Sequence, residues 1–353
     1  MVITSARLQN YRSYTDSSFE FESHVNIIVG PNASGKTNLL DALYYAATGG
    51  SMKPSSEHVV RHEQSWARID CMTSENQTRT VKIKQSPTGL QKELLLDDKL
   101  YRRLPKDRML PVVLFEPNHL YFITTSPDMR RQLIDGILEK SQEGFITLKN
   151  KYVRTLRQRN ALLKQPLDQV RSQIFAWDVR ISELAGQYTE ERLKLLRKIN
   201  ETSSEIYTSI AGNQHSLLLT YESKISATNY ASNLLTKLQA RLELDHQRGF
   251  TGYGPHRDDI GLLIDDKDMR DVASRGETRS ILLTLKVTEA QILEEVHQQK
   301  PILLLDDVFG ELDGSRRKSL ISFMQGSQTF ITTTDADVVN DHLGKNSYLI
   351  STS

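Results

Sequence analysis

The residues from Gly30 to Thr37 match the phosphate-loop pattern G-x-x-x-x-G-K-[ST] at every position. The matching residues are Gly30, Pro31, Asn32, Ala33, Ser34, Gly35, Lys36 and Thr37, and Asn38 follows them. Backbone N–H groups that end at a helix N-terminus bind phosphate oxygens, and glycine lets the main chain approach closely. Lys36 is expected to contact the β- and γ-phosphates, and Thr37 to coordinate Mg²⁺. The pattern predicts a nucleotide site, and the alternative is a glycine-containing surface turn.

Two adjacent carboxylates, Asp306 and Asp307, follow the apolar run 301–305. The carboxyl end of a central parallel strand normally lies beside the phosphate site of such a sheet. Asp306 is therefore expected to join the Mg²⁺ shell, and Asp307 to orient an attacking water. Lys36 and Asp307 are thus the candidate catalytic residues. The alternative is a pair of acidic residues at a strand-to-loop turn.

A second candidate anion-binding segment, Ser274-Arg275-Gly276-Glu277, opens a helix expected over 281–295. A hydroxyl, a glycine and free N–H groups at a helix start together suit a phosphate. A capping motif without a ligand is the alternative. The position of this segment just before the Asp306-Asp307 motif favours the anion-binding interpretation.

Three further polar residues are candidates for contacts with the nucleotide. Arg12 is close in sequence to the strand that feeds the phosphate loop, and it either contacts a phosphate or is a solvated loop arginine. Thr334 and Asp335 end the strand expected over 328–334, where a group that senses the γ-phosphate would lie. The sequence leaves these roles open.

The composition sets limits on the class of protein. The chain has 353 residues, a formal net charge of +1 and a single cysteine, Cys71. One cysteine excludes an internal disulfide and a thiolate metal cage, and it fits a reducing compartment. No charged-then-apolar leader or bilayer-length apolar run is found, so a cytoplasmic protein is expected. Because the net charge is small, any affinity for nucleic acid must come from local clusters of basic residues.

The periodicity of apolar residues indicates which elements position these motifs. Short strand patterns between residues 66 and 117 predict an antiparallel β layer beside the nucleotide site. Between 129 and 244, apolar residues recur every three to four positions, which predicts a lobe of several moderate helices. Basic residues concentrate in this lobe, among them Lys149, Lys151, Arg154 and Arg157. They either form a stripe that follows phosphates or a solvated helix face.

The order of these motifs resembles that of the ABC-type ATPases, and within them that of the SMC-related group that acts on chromosomes. More narrowly, the chain is similar, nearly end to end, to the RecF family of bacterial recombination mediators. Besides the phosphate loop, the segments that carry this resemblance are 8–14, 126–131, 158–164, 254–259, 275–280 and 304–313. Two of these segments are not general features of ATPases, so the resemblance is specific. They are 158–164, which reads Gln-Arg-Asn-Ala-Leu-Leu-Lys, and 254–259, which reads Gly-Pro-His-Arg-Asp-Asp.

The resemblance implies an α/β fold, namely an ABC/SMC-type P-loop ATPase head, a mixed sheet with an antiparallel β layer, plus an inserted α-helical lobe. The implied domains are 1–125 and 251–353 for the two parts of the head, and 126–250 for the lobe. The C-terminal part would contain the signature and the Walker B motif. Asp313 would be the D-loop residue, and the signature residues that contact ATP bound by a partner copy would be Ser274, Arg275, Gly276 and Glu277.

The function implied by the resemblance is ATP-dependent binding of DNA. In such ATPases two heads enclose two ATP molecules, so ATP and Mg²⁺ are the implied cofactors and the protein is an ATP-dependent homodimer. The DNA would be duplex, gapped, or a junction of single and double strands, without a membrane partner. RecF-like proteins act with RecR and RecO, and thereby assist RecA loading at single-strand gaps, replication restart and SOS induction. A weak, DNA-stimulated ATPase whose slow hydrolysis opens the dimer is implied.

Four positions depart from the family pattern. Asn118 and His119 follow Pro117 where acidic residues are usual, and Thr278 stands where glutamine is common. Asp307 takes the place of the glutamate that most ABC ATPases carry. Its shorter side chain reaches less far towards water, which agrees with slow hydrolysis.

Two other functions are open. The nucleotide-binding subunit of a membrane transporter would have a histidine after the last strand, where this chain has Thr334-Asp335, and a shorter helical subdomain. A structural chromosome-bridging protein of the SMC kind would need heptads over far more residues than this lobe offers.

Overall fold

The protein is described by a computed structural model, which covers residues 1–52, 59–86, 89–116, 119–335 and 347–352. The side chains of residues 120–122 and 311 are not described. Pro117 and Asn118, where the sequence departs from the family pattern, lie outside the described residues.

Strands predominate before residue 116, and helices predominate from residue 119 to residue 297. The strands are β1 Ile3–Tyr11, β2 Tyr14–Glu20, β3 Val25–Val29, β4 Trp66–Thr73, β5 Thr78–Ser86, β6 Gly89–Leu96, β7 Lys99–Tyr101, β8 Val112–Phe115, β9 Leu217–Glu222, β10 Asp259–Ile264, β11 Lys267–Asp268, β12 Ile302–Asp306, β13 Thr329–Thr333 and β14 Ser347–Ser351. The helices are α1 Lys36–Thr48, α2 His119–Thr124, α3 Pro127–Ser141, α4 Phe145–Leu162, α5 Leu167–Ala211, α6 Tyr230–Ala240, α7 Leu242–Arg248, α8 Met269–Val272, α9 Arg275–His297 and α10 Gly314–Met324. Short 3₁₀ turns lie at Lys106–Arg108 and Phe309–Glu311.

The chain divides into two compact units. The first contains Met1–His119, Ile210–Gly212 and Lys286–Ser353, and the second contains Leu120–Ser209 and Asn213–Leu285. Residues 251–285, which the sequence prediction assigned to the C-terminal part of the head, therefore lie in the second unit. The reason is local: β10 pairs with β9, and the Asp259 carboxylate binds Arg130 of α3, with Nη2 and Oδ2 2.5 Å apart.

The first unit contains a sheet whose described strands are all parallel, in the order β14-β3-β13-β12-β8. Its central strands are buried along most of their length, as in the Ile302–Asp306 strand β12. Apolar side chains on both faces suit a parallel sheet, which is covered on both sides. Register brings Asp306 opposite Thr332, and Thr333 opposite Val29, at the carboxyl ends of the strands.

An antiparallel layer, in the order β2-β1-β4-β5-β6-β7, packs in the same unit and confirms the predicted β layer. Along β4 the burial alternates, so that Ala67, Ile69, Cys71 and Thr73 point inward. Alternation of this kind is typical of a sheet with one face in the core. Ala67, Ile69 and Cys71 share a core with apolar residues of α1, which fixes the helix that follows the phosphate loop; these are Leu39, Leu40 and Leu43.

The second unit is built mostly of helices, and its strands form the small sheet β11-β10-β9. The expectation of several moderate helices is wrong for Leu167–Ala211, which is one helix of 45 residues. It begins after Pro166 and ends before Gly212, the two breaks that the sequence indicated. Gly186 lies within it, but one glycine costs only about 1 kcal/mol in a helix. A Cβ at Gly186 would lie 3.0 Å from the Cβ of Ala231, so this glycine lets α6 approach α5.

Among the helices of the described ranges, none combines the length and the apolar character needed to cross a membrane.

Candidate nucleotide site

The phosphate loop connects the end of β3 at Val29 to the start of α1 at Lys36, as the pattern requires. Gly35 has a φ of 97°, a left-handed conformation that glycine adopts without strain. A Cβ at Gly30 would lie 2.4 Å from the Thr352 carbonyl oxygen and 2.5 Å from the Ser34 hydroxyl. Both glycines of the motif are therefore required by the backbone itself.

Lys36 is buried, and its ammonium group is held inside the loop. Nζ donates hydrogen bonds to the carbonyl oxygens of Gly30 at 2.7 Å and Pro31 at 2.9 Å. These contacts fix a positive charge beside the helix start, where a phosphate is attracted by the N–H groups and the helix dipole. The predicted contact of Lys36 with phosphate stays a prediction.

Thr37 and Asp306, the predicted Mg²⁺ ligands, are in direct contact. The Thr37 hydroxyl lies 2.9 Å from each carboxylate oxygen of Asp306. Thr332 of the neighbouring strand donates to Asp306 Oδ1 at 2.7 Å, and its hydroxyl oxygen accepts a hydrogen bond from the Asp307 amide at 2.9 Å. Asp307 has a φ of 52°, in the left-handed region. Thr332, a buried residue that the sequence analysis missed, thus holds the Asp306 carboxylate and the backbone of Asp307.

The oxygen donors at this point suit Mg²⁺, which takes few protein ligands and retains water or phosphate oxygens. Burial raises the pKa of Asp306, although hydrogen bonds from Thr332 and Thr37 act against the rise, and the charges of Glu116 and Asp307 add to it. A divalent cation would offset this accumulation of negative charge. Within the described ranges, no group of three or more His, Cys, Asp or Glu side chains is placed to hold a metal ion.

Arg12, predicted to contact a phosphate, forms an ion pair with Asp41 of α1 in this structure. Its Nη2 lies 2.6 Å from Asp41 Oδ2, and its side chain is only 10% exposed. The same carboxylate accepts hydrogen bonds from Tyr11 and Ser51. Arg12 is therefore held against the helix that follows the loop, and its contact with a phosphate stays a prediction.

The segment after Arg12 supports the phosphate loop. The Tyr14 hydroxyl donates to the Gly35 carbonyl oxygen at 3.1 Å, and Asn38 donates to the Ser13 hydroxyl at 2.9 Å. Asn38, which was predicted to bind ATP, thus anchors the start of α1 to this segment.

The described C-terminal residues also contact the loop, which sequence reasoning did not foresee. The Thr352 amide donates to Val29 O at 2.8 Å, and the hydroxyls of Thr352 and Ser34 are 2.8 Å apart. Thr334 and Asp335, the predicted γ-phosphate sensors, are exposed and follow directly on β13. The preceding Thr333 carbonyl accepts a hydrogen bond from Gly30 at 3.4 Å, so this chain segment adjoins the loop.

The predicted signature segment forms a reciprocal cap at the start of α9. The Ser274 amide donates to Glu277 Oε2 at 2.7 Å, and the Glu277 amide donates to the Ser274 hydroxyl oxygen at 3.2 Å. This capping box satisfies two of the helix's free donors. Ser274 and Arg275 are exposed and Gly276 is half-buried, so the segment is accessible to a ligand. The two interpretations left open by the sequence are thus compatible.

Asp313, the predicted D-loop residue, caps α10. Its Oδ1 accepts a hydrogen bond from the Arg316 amide at 3.0 Å, which contributes most to lowering the pKa of this exposed carboxyl group. Asp313 therefore sets the point at which the helix after the Walker B strand begins.

The predicted DNA-contacting residues of α4 differ in their surroundings. Lys149 binds Glu139, with Nζ and Oε1 2.7 Å apart, whereas Lys151, Arg154 and Arg157 are exposed. Of the four predicted residues, these three are the ones whose charge is exposed to solvent.

A family model described as an AAA domain matches residues 5–295. The DNA replication and repair protein RecF of Lactobacillus johnsonii is 31% identical over 359 residues, covering 96% of this chain and 94% of that protein. The chain belongs to the RecF family. The RecF protein of Halalkalibacterium halodurans is 32% identical over 358 residues, covering 97% of this chain and 95% of that one.

Solved structures agree with this assignment to the RecF family. A structure of the recombination mediator protein RecF with ATP, from the RecFOR pathway, has a TM-score of 0.81 at 27% identity and covers 95% of this chain and 92% of that one. An Smc head bound to a domain of ScpA has a TM-score of 0.54 at 16% identity and covers 97% of this chain and 92% of that chain. The Smc likeness supports the fold alone: an SMC-type ATPase head.

The two segments that make the RecF resemblance specific each place a side chain in hydrogen bonds within the second unit. Arg159 donates to Asp178 Oδ1 at 2.7 Å and to Asp245 Oδ2 at 2.9 Å. His256 contacts the Tyr152 hydroxyl through Nδ1 at 2.6 Å and the Thr251 carbonyl oxygen through Nε2 at 3.1 Å. Because the carbonyl only accepts, Nε2 donates and Nδ1 accepts. Arg159 and His256 therefore join parts of the second unit that are distant in sequence.

Proposed function

We propose that this protein is an ATP-dependent DNA-binding protein of recombinational repair, which dimerises when it binds ATP. The observation that carries the proposal is the contact of Thr37 with Asp306, because it joins the phosphate loop to the Walker B strand at one point. Bound ATP and Mg²⁺ would supply the phosphoryl group and neutralise its charge. Lys36 would hold the β- and γ-phosphates, while Asp307 would orient the attacking water.

Dimerisation is proposed to occur through the ATP molecules. The exposed start of α9 offers the Ser274 hydroxyl and free backbone N–H groups to a γ-phosphate bound at Lys36 of a second copy. Asp313 would lie at the same contact as the D-loop residue. Hydrolysis removes the γ-phosphate that joins the copies, so slow hydrolysis would act as a timer that opens the dimer.

The proposed ligand is duplex or gapped DNA, bound mainly through its phosphates, and DNA is proposed to stimulate a weak ATPase. The names of the relatives support a role in DNA replication and repair, and that of the similar structure places RecF in the RecFOR pathway. We therefore propose RecO and RecR as partners, with RecA loading at gaps, replication restart and SOS induction as the outcome, in the cytoplasm.

Sedimentation velocity with a non-hydrolysable ATP analogue and duplex DNA tests the proposal. Lys36→Ala is expected to lose nucleotide binding and dimerisation together. Ser274→Asp and Ser274→Asn both keep an N-cap acceptor, but only the aspartate adds a negative charge against the γ-phosphate. Ser274→Asp is expected to bind the analogue as a monomer and fail to dimerise. Ser274→Asn is expected to keep most of the analogue-dependent dimerisation.

Two results would contradict the proposal. One is a parent protein that stays monomeric in saturating analogue with duplex present. The other is a Ser274→Asp variant that dimerises as well as the parent, because the start of α9 would then be outside the contact.

A further inference from the structure

A loop and three helix ends in the second unit bring basic and aromatic side chains together. We call it the 248–257 surface, and its residues are Lys164, Lys237, Arg248, Phe250, Tyr253 and Arg257. We propose that this surface binds a single-stranded segment of nucleic acid. Its residues are none of those predicted above to contact the nucleotide or DNA.

The backbone of this loop is fixed by hydrogen bonds that are partly or fully buried. The Thr251 amide and hydroxyl donate to Asn160 Oδ1 at 2.8 and 2.7 Å, and the Gly252 amide donates to Asp245 Oδ1 at 3.1 Å. Thr251 also accepts from Arg159 Nη1 at 2.8 Å. With 251 and 252 anchored inside, the flanking rings at positions 250 and 253 are held in place, so little ordering is needed on binding.

Two cations lie over the aromatic rings of this loop. The Arg257 guanidinium carbon lies 4.9 Å from the centre of the Phe250 ring, and Lys237 Nζ lies 5.2 Å from the centre of the Tyr253 ring. Phe250 is 38% exposed, Arg257 is exposed, and Lys237 and Tyr253 are half-buried. Both pairs therefore present a ring and a positive charge next to each other at the surface.

The other basic side chains of the surface favour binding of an anion. Lys164 and Arg248 are exposed, and the Lys164 side chain runs alongside Gly249, where a Cβ would be 3.7 Å from its Cγ. In the described part of the chain, Lys164, Lys237, Arg248 and Arg257 form no ion pair. The carboxylates at positions 245, 258 and 259 are each bound by other side chains, and the exposed Glu243 of α7 binds Arg171. Asp245 binds Arg159, Asp258 accepts three hydroxyl hydrogen bonds, and Asp259 binds Arg130.

Rings interleaved with cations fit single-stranded nucleic acid better than a duplex. Exposed bases stack on aromatic rings and guanidinium planes, while lysine and arginine bind the phosphates between them. A duplex keeps its base faces stacked inside and would use only the charges. Three residues of chain span at most about 10 Å, so Phe250 and Tyr253 are within reach of one short oligonucleotide. The inference rests on the proposed function only in placing the protein at gapped DNA.

The test is fluorescence anisotropy of labelled oligo(dT) and of a duplex of equal length, at low salt and without nucleotide. Phe250→Ala is expected to weaken oligo(dT) binding about five- to tenfold, and duplex binding by less than about twofold, since stacking serves unpaired bases. Arg257→Gln should act in the same direction. Phe175→Ala is the matched control, because this α5 phenylalanine is 59% exposed without a cation over its ring among the described residues.

Three results would overturn the inference: a parent that does not bind oligo(dT), a Phe250→Ala variant that binds it as tightly as Phe175→Ala does, or an equal loss for both DNA forms. An acidic peptide that displaces oligo(dT) at equal charge would also overturn it, because charge alone would then explain binding. Thermal unfolding confirms that the variants are folded. As the assay contains no ATP, its failure is distinct from a failure of ATP-dependent dimerisation.

Discussion

Thr332 donates a hydrogen bond to Asp306 across two parallel strands, with 2.7 Å between Oγ1 and Oδ1. The same hydroxyl accepts the amide hydrogen of the next residue, Asp307. One side chain from β13 therefore sets the carboxylate that would hold Mg²⁺ and the backbone of the residue that would orient water. This makes Thr332 a positioning residue for the proposed hydrolysis.

Thr332→Val keeps the shape of the side chain but removes its hydroxyl, which leaves the Asp307 amide without this acceptor. We expect kcat to fall about tenfold and the Mg²⁺ concentration for half-maximal rate to rise, at a cost of about 1–3 kcal/mol in stability. A magnesium titration of ATPase rate measures both effects. Thr332→Ser restores the hydroxyl and should recover most of the activity, and a serine variant as impaired as the valine variant would contradict the positioning role.

Gly30→Ala places a Cβ against the Thr352 carbonyl oxygen and the Ser34 hydroxyl, both within 2.5 Å. The loop or the C-terminal segment must shift, so we expect nucleotide affinity to fall at least about tenfold, as backbone donors leave their positions. Calorimetric titration with ATP measures the loss. Gly50→Ala is the control, because a Cβ there meets nothing within 4 Å. Unchanged ATP affinity in Gly30→Ala would show that the loop tolerates a Cβ.

Burial lowers the pKa of His256 from 6.5 to about 4. His256 of the unfolded chain therefore binds a proton near pH 6.5, whereas in the folded protein it binds one only near pH 4. The contribution of His256 to stability is full above pH 6.5 and is lost as the pH falls from 6.5 to 4. The loss from this residue is up to about 3 kcal/mol, since a tenfold change in proton affinity corresponds to about 1.4 kcal/mol.

Urea unfolding at pH 7.5 and pH 5 measures that loss, and His256→Gln isolates it from other titrating groups. The parent should lose more stability between the two pH values than the glutamine variant. Equal losses in the two proteins would mean that His256 does not stay neutral in the folded state.

Arg159→Met leaves the carboxylates of Asp178 and Asp245 buried without their cation. Removing one partner of a buried ion pair typically costs about 3–5 kcal/mol, and we expect that cost in the free energy of unfolding. Arg171→Met is the control, because Arg171 and its partner Glu243 are both mostly exposed. An exposed pair contributes only about 0–1 kcal/mol. Similar urea midpoints for the two variants would contradict a structural role for Arg159.

Much of the fold could be predicted from local sequence patterns. The phosphate loop could be recognised because its residues are contiguous and their conformations are dictated by Gly30, Gly35 and the helix start at Lys36. The antiparallel layer was visible because one face of β4 is buried and the other is not. The family resemblance then supplied the ATPase head, which the comparisons bear out.

Contacts between distant parts of the chain were not predictable in the same way. Thr332 and Asp306 are 26 positions apart, and Thr352 and Ser34 are 318 apart. A threonine inside a buried strand was the only available signal for Thr332. The length of α5 was missed because a helix of mixed charged and apolar residues gives similar periodicity whether it is interrupted or continuous.

The position of β3 also bears on how the protein is made. In the described part of the chain its two sheet neighbours are β13 and β14. Residues 25–29 therefore form their sheet hydrogen bonds only with residues 329–333 and 347–351. Ribosomes release the N-terminal segment first. A growing polypeptide therefore cannot complete the parallel sheet beside the candidate nucleotide site until translation has passed residue 333. Fragments that end before this point are expected not to bind ATP.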